Sequence, residues 1–178
     1  MASTALLLGG ECTGKTALAQ ALALSLENPI TPLSVSVVPE ALRDFTLRTN
    51  RPPLQHEQEE IWKQQSQLLL AAKLTSTEAG LVVCDPAPLM TAVYSVQYFD
   101  DDSLLSRALE TTDPGDVIVV CSPDIPWEPD GIQRDGPQAR QRTHELLEAL
   151  ILPRLHNEVI VVSGSLDERL AQVMSKVP

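Results

Sequence analysis

The chain has 178 residues, of which 43% are hydrophobic, and this size and composition predict one globular domain with a substantial core and exclude a largely disordered protein. The formal net charge of -11 argues against binding to nucleic acid or to an anionic membrane, because both partners require a basic protein surface. An anionic nucleotide would therefore need a local positive site on this protein.

A phosphate-binding loop is the first recognisable feature, because residues 9–16 follow the P-loop pattern G-x-x-x-x-G-K-[ST]. The apolar residues 5–8 predict a strand before the loop, and the Ala/Leu-rich residues 17–26 predict a helix after it. In this context we expect backbone N–H groups and the Lys15 ammonium group to bind the phosphates of ATP, and the Thr16 hydroxyl to bind Mg²⁺. The predicted nucleotide-binding residues are Gly10, Glu11, Cys12, Thr13, Gly14, Lys15 and Thr16.

Glu40 is the first candidate for the acceptor side of the site. The alternating residues 33–38 predict a second strand that ends just before Glu40, and residues 41–47 are predicted to be helical. At a strand end Glu40 could accept the proton of an attacking hydroxyl group or bind a sugar; the alternative is a first-turn glutamate stabilised by the helix dipole. Arg43 lies one turn later on the same helical face, where it would contact the substrate or form a surface salt bridge with Glu40.

Asp85 is a second candidate carboxylate, because it ends the continuous apolar run of residues 81–85, which predicts a strand buried on both faces. In this position, which is that of a Walker-B carboxylate, it could hold Mg²⁺ or bind the acceptor hydroxyl; the alternative is a turn or N-cap residue before Pro86. The long helix predicted for residues 57–77 carries four glutamines on a polar flank. Gln65 is the one we expect to hydrogen-bond a substrate base, with plain surface solvation as the competing interpretation.

The second half of the chain continues the alternation of helices and strands. Its predicted elements are a mixed apolar segment at residues 89–99, a short helix at 103–109, a buried strand at 116–121, a helix at 137–155, a strand at 158–162 and a final helix opened by a capping box at 165–168. Five short strands alternating with helices predict an α/β fold of three layers, with a five-stranded parallel sheet and helices on both faces. Residues 1–178 would form one domain, and Gly10, Glu40 and Asp85 would converge at the carboxyl ends of the strands.

An irregular segment rich in proline and arginine predicts a lid over about residues 123–142. Trp127 could stack on a planar base, and a lid arginine could place its guanidinium group on the transferring phosphoryl group. Arg140 and Arg142 cannot share a helix face, so at most one of them would reach phosphate together with Arg134. The alternative is a solvated loop with Trp127 packed beneath it.

In their order along the chain these motifs resemble the P-loop ribosylnicotinamide kinase-like family, which comprises the kinase domain of the bifunctional NAD-biosynthesis regulator and its stand-alone relatives. Residues 9–16 resemble the family's GGESSGKS/T loop, residues 39–43 its E-x-x-R motif, and residues 126–134 its P-W-x-x-D-G-x-R lid segment, with Gln65 and Asp85 between them. There are two departures. Residues 131–134 add one residue to the lid motif, and residues 86–88 replace the family's D-T-D run.

This resemblance implies a P-loop kinase fold and an ATP- and Mg²⁺-dependent kinase that phosphorylates the 5′-hydroxyl of nicotinamide riboside. It also implies that Trp127 and Asp130 lie near the nucleoside and that Arg134 covers the phosphates. The expected catalytic residues are Lys15, Glu40, Asp85 and Arg134, and the expected Mg²⁺ ligands are Thr16 and Asp85. The expected substrate-binding residues are Glu40, Arg43, Gln65, Asp85, Trp127 and Asp130, and Arg140 joins the nucleotide-binding residues.

Two other functions stay open at this point. One is a kinase with a different small-molecule acceptor, and the other is a P-loop ATPase or nucleotide-binding switch that acts on a protein partner. The predicted partner is therefore a small nucleoside-like molecule, with neither nucleic acid nor a membrane involved. The oligomeric state is open, with a homo-oligomer among the alternatives.

The cysteines and the first residues indicate the cellular setting. Three cysteines show no metal-ligand spacing, which favours core thiols in a reducing cytoplasm. We expect no cleaved signal peptide, because the first residues pass directly into the predicted strand, and no apolar run approaches membrane-spanning length.

Overall fold

Five parallel strands form the central sheet of the structure, a computed structural model that describes residues 3–28, 31–32, 34–129 and 135–177. The strands, in chain order, are β1 (Ser3–Leu8), β2 (Glu27–Asn28), β3 (Thr31–Pro32), β4 (Val35–Val38), β5 (Leu81–Cys84), β6 (Val117–Cys121) and β7 (Glu158–Val162). Strands β2 and β3 pair only with each other, antiparallel, and the central sheet has the order β4-β5-β1-β6-β7.

Helices cover both faces of this sheet. They are α1 (Lys15–Leu26), α2 (Ala41–Thr49), α3 (Gln58–Thr75), α4 (Leu89–Phe99), α5 (Leu105–Leu109), α6 (Pro137–Leu146) and α7 (Leu166–Met174). Because side chains alternate along a strand, Leu6 and Leu8 of β1 pack against α3 to α6, whereas Ala5 and Leu7 pack against α1 and α7. The predicted three-layer α/β fold is therefore confirmed.

Some predicted elements differ from the structure in type or in extent. The mixed apolar residues 89–99 form the regular helix α4, and a 3₁₀ turn (Gln55–Glu57) precedes α3. The helix predicted for residues 137–155 ends its α-helical part at Leu146 and continues as a π turn (Leu147–Ile151) and a 3₁₀ turn (Leu152–Arg154). Pro153 explains the end of that helix, since proline lacks the N–H that an α-helix interior requires.

The strand register brings the predicted site residues to one edge of the sheet. In the parallel ladders Leu6 and Val38 both pair with Cys84, so β4 and β5 end at the same level and β1 continues two residues further to Leu8. The loop after β1, Glu40 after β4 and Asp85 after β5 therefore emerge side by side, as expected for ligand sites of open parallel sheets. Within the described ranges, no helix has the length and apolar character needed to cross a membrane.

Candidate active site

The loop between β1 and α1 has the backbone conformation of a phosphate cradle. Gly9 and Gly14 have φ values of 144° and 81°, which side-chain-bearing residues rarely adopt. A Cβ atom on Gly9 would lie 2.7 Å from Thr13 Oγ1 and 2.9 Å from the Cys121 carbonyl oxygen, so only glycine fits there. The loop then enters α1 at Lys15, whose helix N-terminus favours anions.

The polar side chains of this loop hold it in shape. The Lys15 ammonium group donates to the carbonyl oxygens of Gly9 and Gly10, at 2.9 and 2.7 Å. Thr13 is buried, and its hydroxyl donates to the Gly10 carbonyl oxygen at 2.8 Å. Thr16, in the first turn of α1, is exposed and lines the cleft. The cradle, the ammonium group and the exposed hydroxyl together fit a triphosphate with its metal ion.

A cavity of about 720 Å³ extends from this loop across the carboxyl edge of the sheet. Its walls include Lys15 and Thr16 from the start of α1, Glu40 and Arg43 from the start of α2, and the aromatic residues of α4. A smaller cavity of about 150 Å³ adjoins it and is lined by Thr16, Glu40 and Asp85. The cleft therefore has room for two substrates, one beside the P-loop and one beyond Glu40.

The oxygen atoms around the small cavity suit a hard cation. Asp85 is only 8% exposed, and Thr16 and Glu40 line the same cavity. Mg²⁺ takes oxygen ligands and keeps several waters, so one or two carboxylates and a hydroxyl are enough for it. Among the described residues there is no cluster of three histidine, cysteine, aspartate or glutamate side chains that would instead suit a transition metal.

Glu40 is electrostatically perturbed. Burial raises the pKa of its carboxyl group above the ordinary value, and the nearby charge of Asp85 acts in the same direction. The cations of Lys15 and Arg43 oppose the shift, and Arg43 Nε lies 3.8 Å from Glu40 Oε2. A carboxylate with a raised pKa is a better proton acceptor than an ordinary one, which suits general-base chemistry.

This raised pKa has a consequence for stability. When the pKa of a group is higher in the folded than in the unfolded protein, the group stabilises the folded state at a pH below the unfolded pKa. This stabilisation is lost as the pH rises through the pKa of the folded state. We therefore expect Glu40→Gln to raise the melting temperature relative to wild type at pH 7–8, with the difference shrinking below about pH 4. Thermal unfolding of both proteins across this pH range measures the effect, and a wild-type advantage at neutral pH would contradict it.

One wall of the cavity is aromatic. Tyr94, Tyr98 and Phe99 of α4 line it, and the two tyrosine rings lie 6.3 Å apart at an angle of 42°. Burial raises the pKa of Tyr94 well above its ordinary value, so its hydroxyl stays protonated. The sequence analysis assigned these aromatic residues no role, and the spacing of four between the tyrosines is the signal that could have placed both on one helix face.

The lid segment is attached to the P-loop at both of its ends. At its start, Cys12 Sγ donates to the Pro126 carbonyl oxygen at 3.5 Å and accepts from the Glu128 N–H at 3.3 Å. At its end, the Glu11 carboxylate accepts from the N–H groups of Asp135 and Gly136, at 2.8 and 2.9 Å. Asp130 and Arg134, two predicted site residues, lie outside the described residues. The P-loop side chains thus fix where the lid begins and ends.

Arg140 and Trp127 lie close to the P-loop. The Arg140 guanidinium group donates to the carbonyl oxygens of Cys12 and Ile125, at 3.1 and 2.8 Å. Arg142 is exposed and pairs with Glu145, so the two arginines occupy different faces as predicted. Trp127 is half-buried, and its Nε1 is shielded from solvent beside the Glu11 carboxylate without meeting hydrogen-bond geometry.

Gln65 lies behind the cleft instead of in its wall. Its side chain is buried and is hydrogen-bonded to the backbone on both sides of Glu40. Gln58, seven residues earlier on α3, is the glutamine that lines the large cavity. The difference follows from helix geometry, because residues seven apart lie near one face but two turns apart along the axis.

Arg169 is a structural partner of the P-loop that sequence reasoning missed. It lies on α7, is 2% exposed, and donates from Nη1 to the Thr13 carbonyl oxygen at 2.9 Å. Its Nη2 forms an ion pair with Asp124 at the start of the lid. The capping box of α7 was recognised from sequence, but nothing in the sequence indicated that the next residue points into the protein.

Comparison with known proteins agrees with this architecture. Residues 4–169 match the model of a family described as an AAA domain. The structure resembles that of a NadR protein in complex with NAD and AMP-PNP, with a TM-score of 0.72 and 18% identity over 99% of this chain and 49% of that chain. A NadR protein in complex with NR gives the same TM-score and identity over 52% of its chain, so this chain spans about half the length of both.

A third solved structure matches over its full length. The thymidylate kinase from Ehrlichia chaffeensis has a TM-score of 0.69 and 14% identity, with 99% of each chain covered. No curated protein sequence matches this chain. At such identities the likeness extends to the fold, and it confirms the predicted P-loop kinase fold.

Proposed function

The chain belongs to the AAA domain family, and from this premise we propose that it is a cytoplasmic kinase that transfers the γ-phosphoryl group of ATP to the 5′-hydroxyl of a nucleoside, namely nicotinamide riboside. The observation that carries the proposal is a continuous cleft of about 720 Å³, whose walls include the P-loop, Glu40 and an aromatic chamber formed by Tyr94, Tyr98 and Phe99. A protein that only binds or hydrolyses ATP has no need of the second half of this cleft.

Each residue around the cleft has a proposed role. The P-loop amides and Lys15 bind the phosphates of ATP and neutralise the charge that develops during transfer. Thr16 and Asp85 would hold Mg²⁺, which bridges phosphate oxygens and withdraws charge from them when bound. Glu40 lines the acceptor chamber, whereas Asp85 lines only the small cavity beside Thr16. We therefore assign proton acceptance from the attacking hydroxyl to Glu40.

The lid supplies the remaining roles. Trp127 and Asp130 would approach the nucleoside when the lid closes, and Arg134 would approach the phosphates. Arg140 contacts the carbonyl oxygen of Cys12 inside the P-loop, so it would act on the nucleotide chiefly through the position of that loop. Closure of a segment fixed at both ends to the P-loop would exclude water from the transferring phosphoryl group.

The charge of the cavity wall supports a cationic or neutral acceptor over a phosphorylated one. Among the described residues that line it, the carboxylates Glu11, Glu40, Glu128 and Asp135 outnumber the cations Lys15 and Arg43. Arg51, another basic residue of this region, is held by two hydrogen bonds to Glu57. The nicotinamide ring of nicotinamide riboside is a planar pyridinium cation, and aromatic faces and carboxylates both attract such a ring. The NadR protein solved with NR has the same fold.

The test is an acceptor screen. The protein is incubated with ATP, Mg²⁺ and a panel containing nicotinamide riboside, uncharged nucleosides and nucleoside monophosphates, and ADP release is followed. We expect release that depends on nicotinamide riboside, with mass spectrometry detecting the mononucleotide. Slow hydrolysis that no alcohol accelerates would reject the kinase and favour the ATPase or switch, whereas transfer to a monophosphate would reject the proposed acceptor alone.

The aromatic chamber gives a further expected result. Tyr98→Ala removes a half-exposed ring from the acceptor end, and stacking of one base on one aromatic side chain is worth about 1–3 kcal/mol. We expect KM for the acceptor to rise about tenfold, and KM for ATP to change much less, because the ring would stack on the acceptor base and makes none of the backbone contacts that cradle phosphate. Steady-state kinetics with each substrate varied in turn measures both constants. An equal rise in both would show that the ring has no specific role in acceptor binding.

A further inference from the structure

The side chain of Gln65 is a buried amide near the edge of the sheet from which Glu40 and Asp85 emerge. It is 2% exposed and lies on α3, where its neighbours Ile61 and Leu69, one turn away on either side, are apolar core residues. A leucine would fill the same position without the cost of removing an amide from water. A polar group at such a place is stable only if its hydrogen bonds are made, so those bonds indicate what it does.

The Gln65 amide joins two strand ends. Its Oε1 accepts from the Ala41 N–H at 2.7 Å, and its Nε2 donates to the Pro39 carbonyl oxygen at 3.1 Å. These two bonds flank Glu40, the residue between them. Nε2 also lies 3.6 Å from Cys84 Sγ, beside Asp85.

This arrangement leaves the Glu40 carboxylate free to face the cleft. Glu40 occupies the N-cap position of α2, yet its side chain makes no capping hydrogen bond. The first N–H of that helix, on Ala41, is bound by Gln65 instead. The turn between β4 and α2 is thus fixed from behind, and the carboxylate in front of it can contact a substrate.

We infer that Gln65 is a positioning residue, which sets the place of Glu40 relative to Asp85 by holding the ends of β4 and β5 together. The inference rests on the proposed kinase function, and it differs from a direct contact with substrate, because the amide lies behind the wall of the cavity. A shift of about 1 Å in a reacting group can reduce a rate about 100-fold. Loss of the contacts that position Glu40 should therefore lower kcat more than it weakens ATP binding.

Two substitutions test this role. Gln65→Leu removes all of the hydrogen bonds, and we expect kcat to fall about 10- to 100-fold while KM for ATP changes by less than about twofold. Gln65→Glu keeps an acceptor for the Ala41 N–H, but when ionised it has no donor for the Pro39 carbonyl oxygen. We expect the ratio of its kcat to that of wild type to rise as the pH is lowered, because a protonated carboxyl group can donate again. For Gln65→Leu the same ratio stays flat with pH.

Gln67→Leu is the matched control, because it makes the same replacement two residues later at an exposed position of α3. We expect kcat for this variant to stay within about twofold of wild type. Equal losses of kcat and ATP affinity in Gln65→Leu would overturn the inference, since they would indicate general loosening of the fold. An unchanged kcat in that variant would overturn it as well.

Crystal structures keep the inference testable apart from the proposed function. If wild type phosphorylates no member of the acceptor panel, the kinase proposal fails by itself. The structures of wild type and Gln65→Leu then decide whether the Gln65 amide positions the Glu40 carboxylate. A displaced Glu40 carboxylate supports the inference, and a Glu40 carboxylate in the wild-type position overturns it.

Discussion

Lys15→Ala is expected to reduce nucleoside phosphorylation by at least about 100-fold, because it removes the one cation that the P-loop contributes to the transferred phosphoryl group. The loss should appear in kcat and in ATP affinity together, since the ammonium group contacts the phosphates before and during transfer. The fold should survive, because the bonds of Lys15 Nζ go to the Gly9 and Gly10 carbonyl oxygens, and the sheet and the helices that pack on it do not depend on them. A coupled assay of ADP release and thermal unfolding measure the two effects.

Lys63→Ala provides the control for Lys15→Ala. Lys63 is exposed on α3 and pairs only modestly with Glu59, one turn before it, at 3.1 Å. We expect its activity to match that of wild type. If Lys15→Ala keeps more than about a tenth of wild-type activity, the proposed role of this loop in binding the phosphates of ATP is wrong.

The strand, loop and helix of the P-loop were predictable from the sequence because they are local. A P-loop needs a strand, a glycine-rich turn and a helix in immediate succession, and all three are contained in residues 3–26. The positions of Glu40 and Asp85 were also predictable, since carboxyl ends of parallel strands meet at one edge. The buried runs that end at Val38 and Cys84 were enough to locate that edge.

The acceptor half was less predictable because long-range packing builds it. Tyr94 and Tyr98 became a cavity wall only through the docking of α4 beside the P-loop, and the periodicity of residues 89–99 did not indicate which face would meet the cleft. Gln65 was expected to hydrogen-bond a substrate base, with surface solvation as the alternative, and neither interpretation placed its side chain in the interior. Its burial depends on how α3 crosses the ends of β4 and β5, which no local pattern encodes.

Arg169→Met is expected to lower the free energy of unfolding by about 3 kcal/mol, because it breaks a buried network of hydrogen bonds and an ion pair. The guanidinium group donates to the carbonyl oxygens of Thr13, Ser122 and Gly164, at 2.9, 3.3 and 2.8 Å. Methionine fills similar volume but leaves these oxygens without that donor. Asp124, the ionic partner, is 37% exposed and can be rehydrated, so most of the loss comes from the carbonyl oxygens, above all that of the buried Thr13.

Urea denaturation should show this loss, and thermal unfolding should show a melting temperature lower by about 6–12 °C. Arg142→Met is the control, because Arg142 is exposed on α6 and its contact with Glu145 spans 3.5 Å. We expect that variant to remain within about 0.5 kcal/mol of wild type. Because Arg169 holds the Thr13 carbonyl oxygen, Arg169→Met should also weaken ATP binding. A variant that matched wild type in both stability and ATP affinity would show that the P-loop holds its shape without α7.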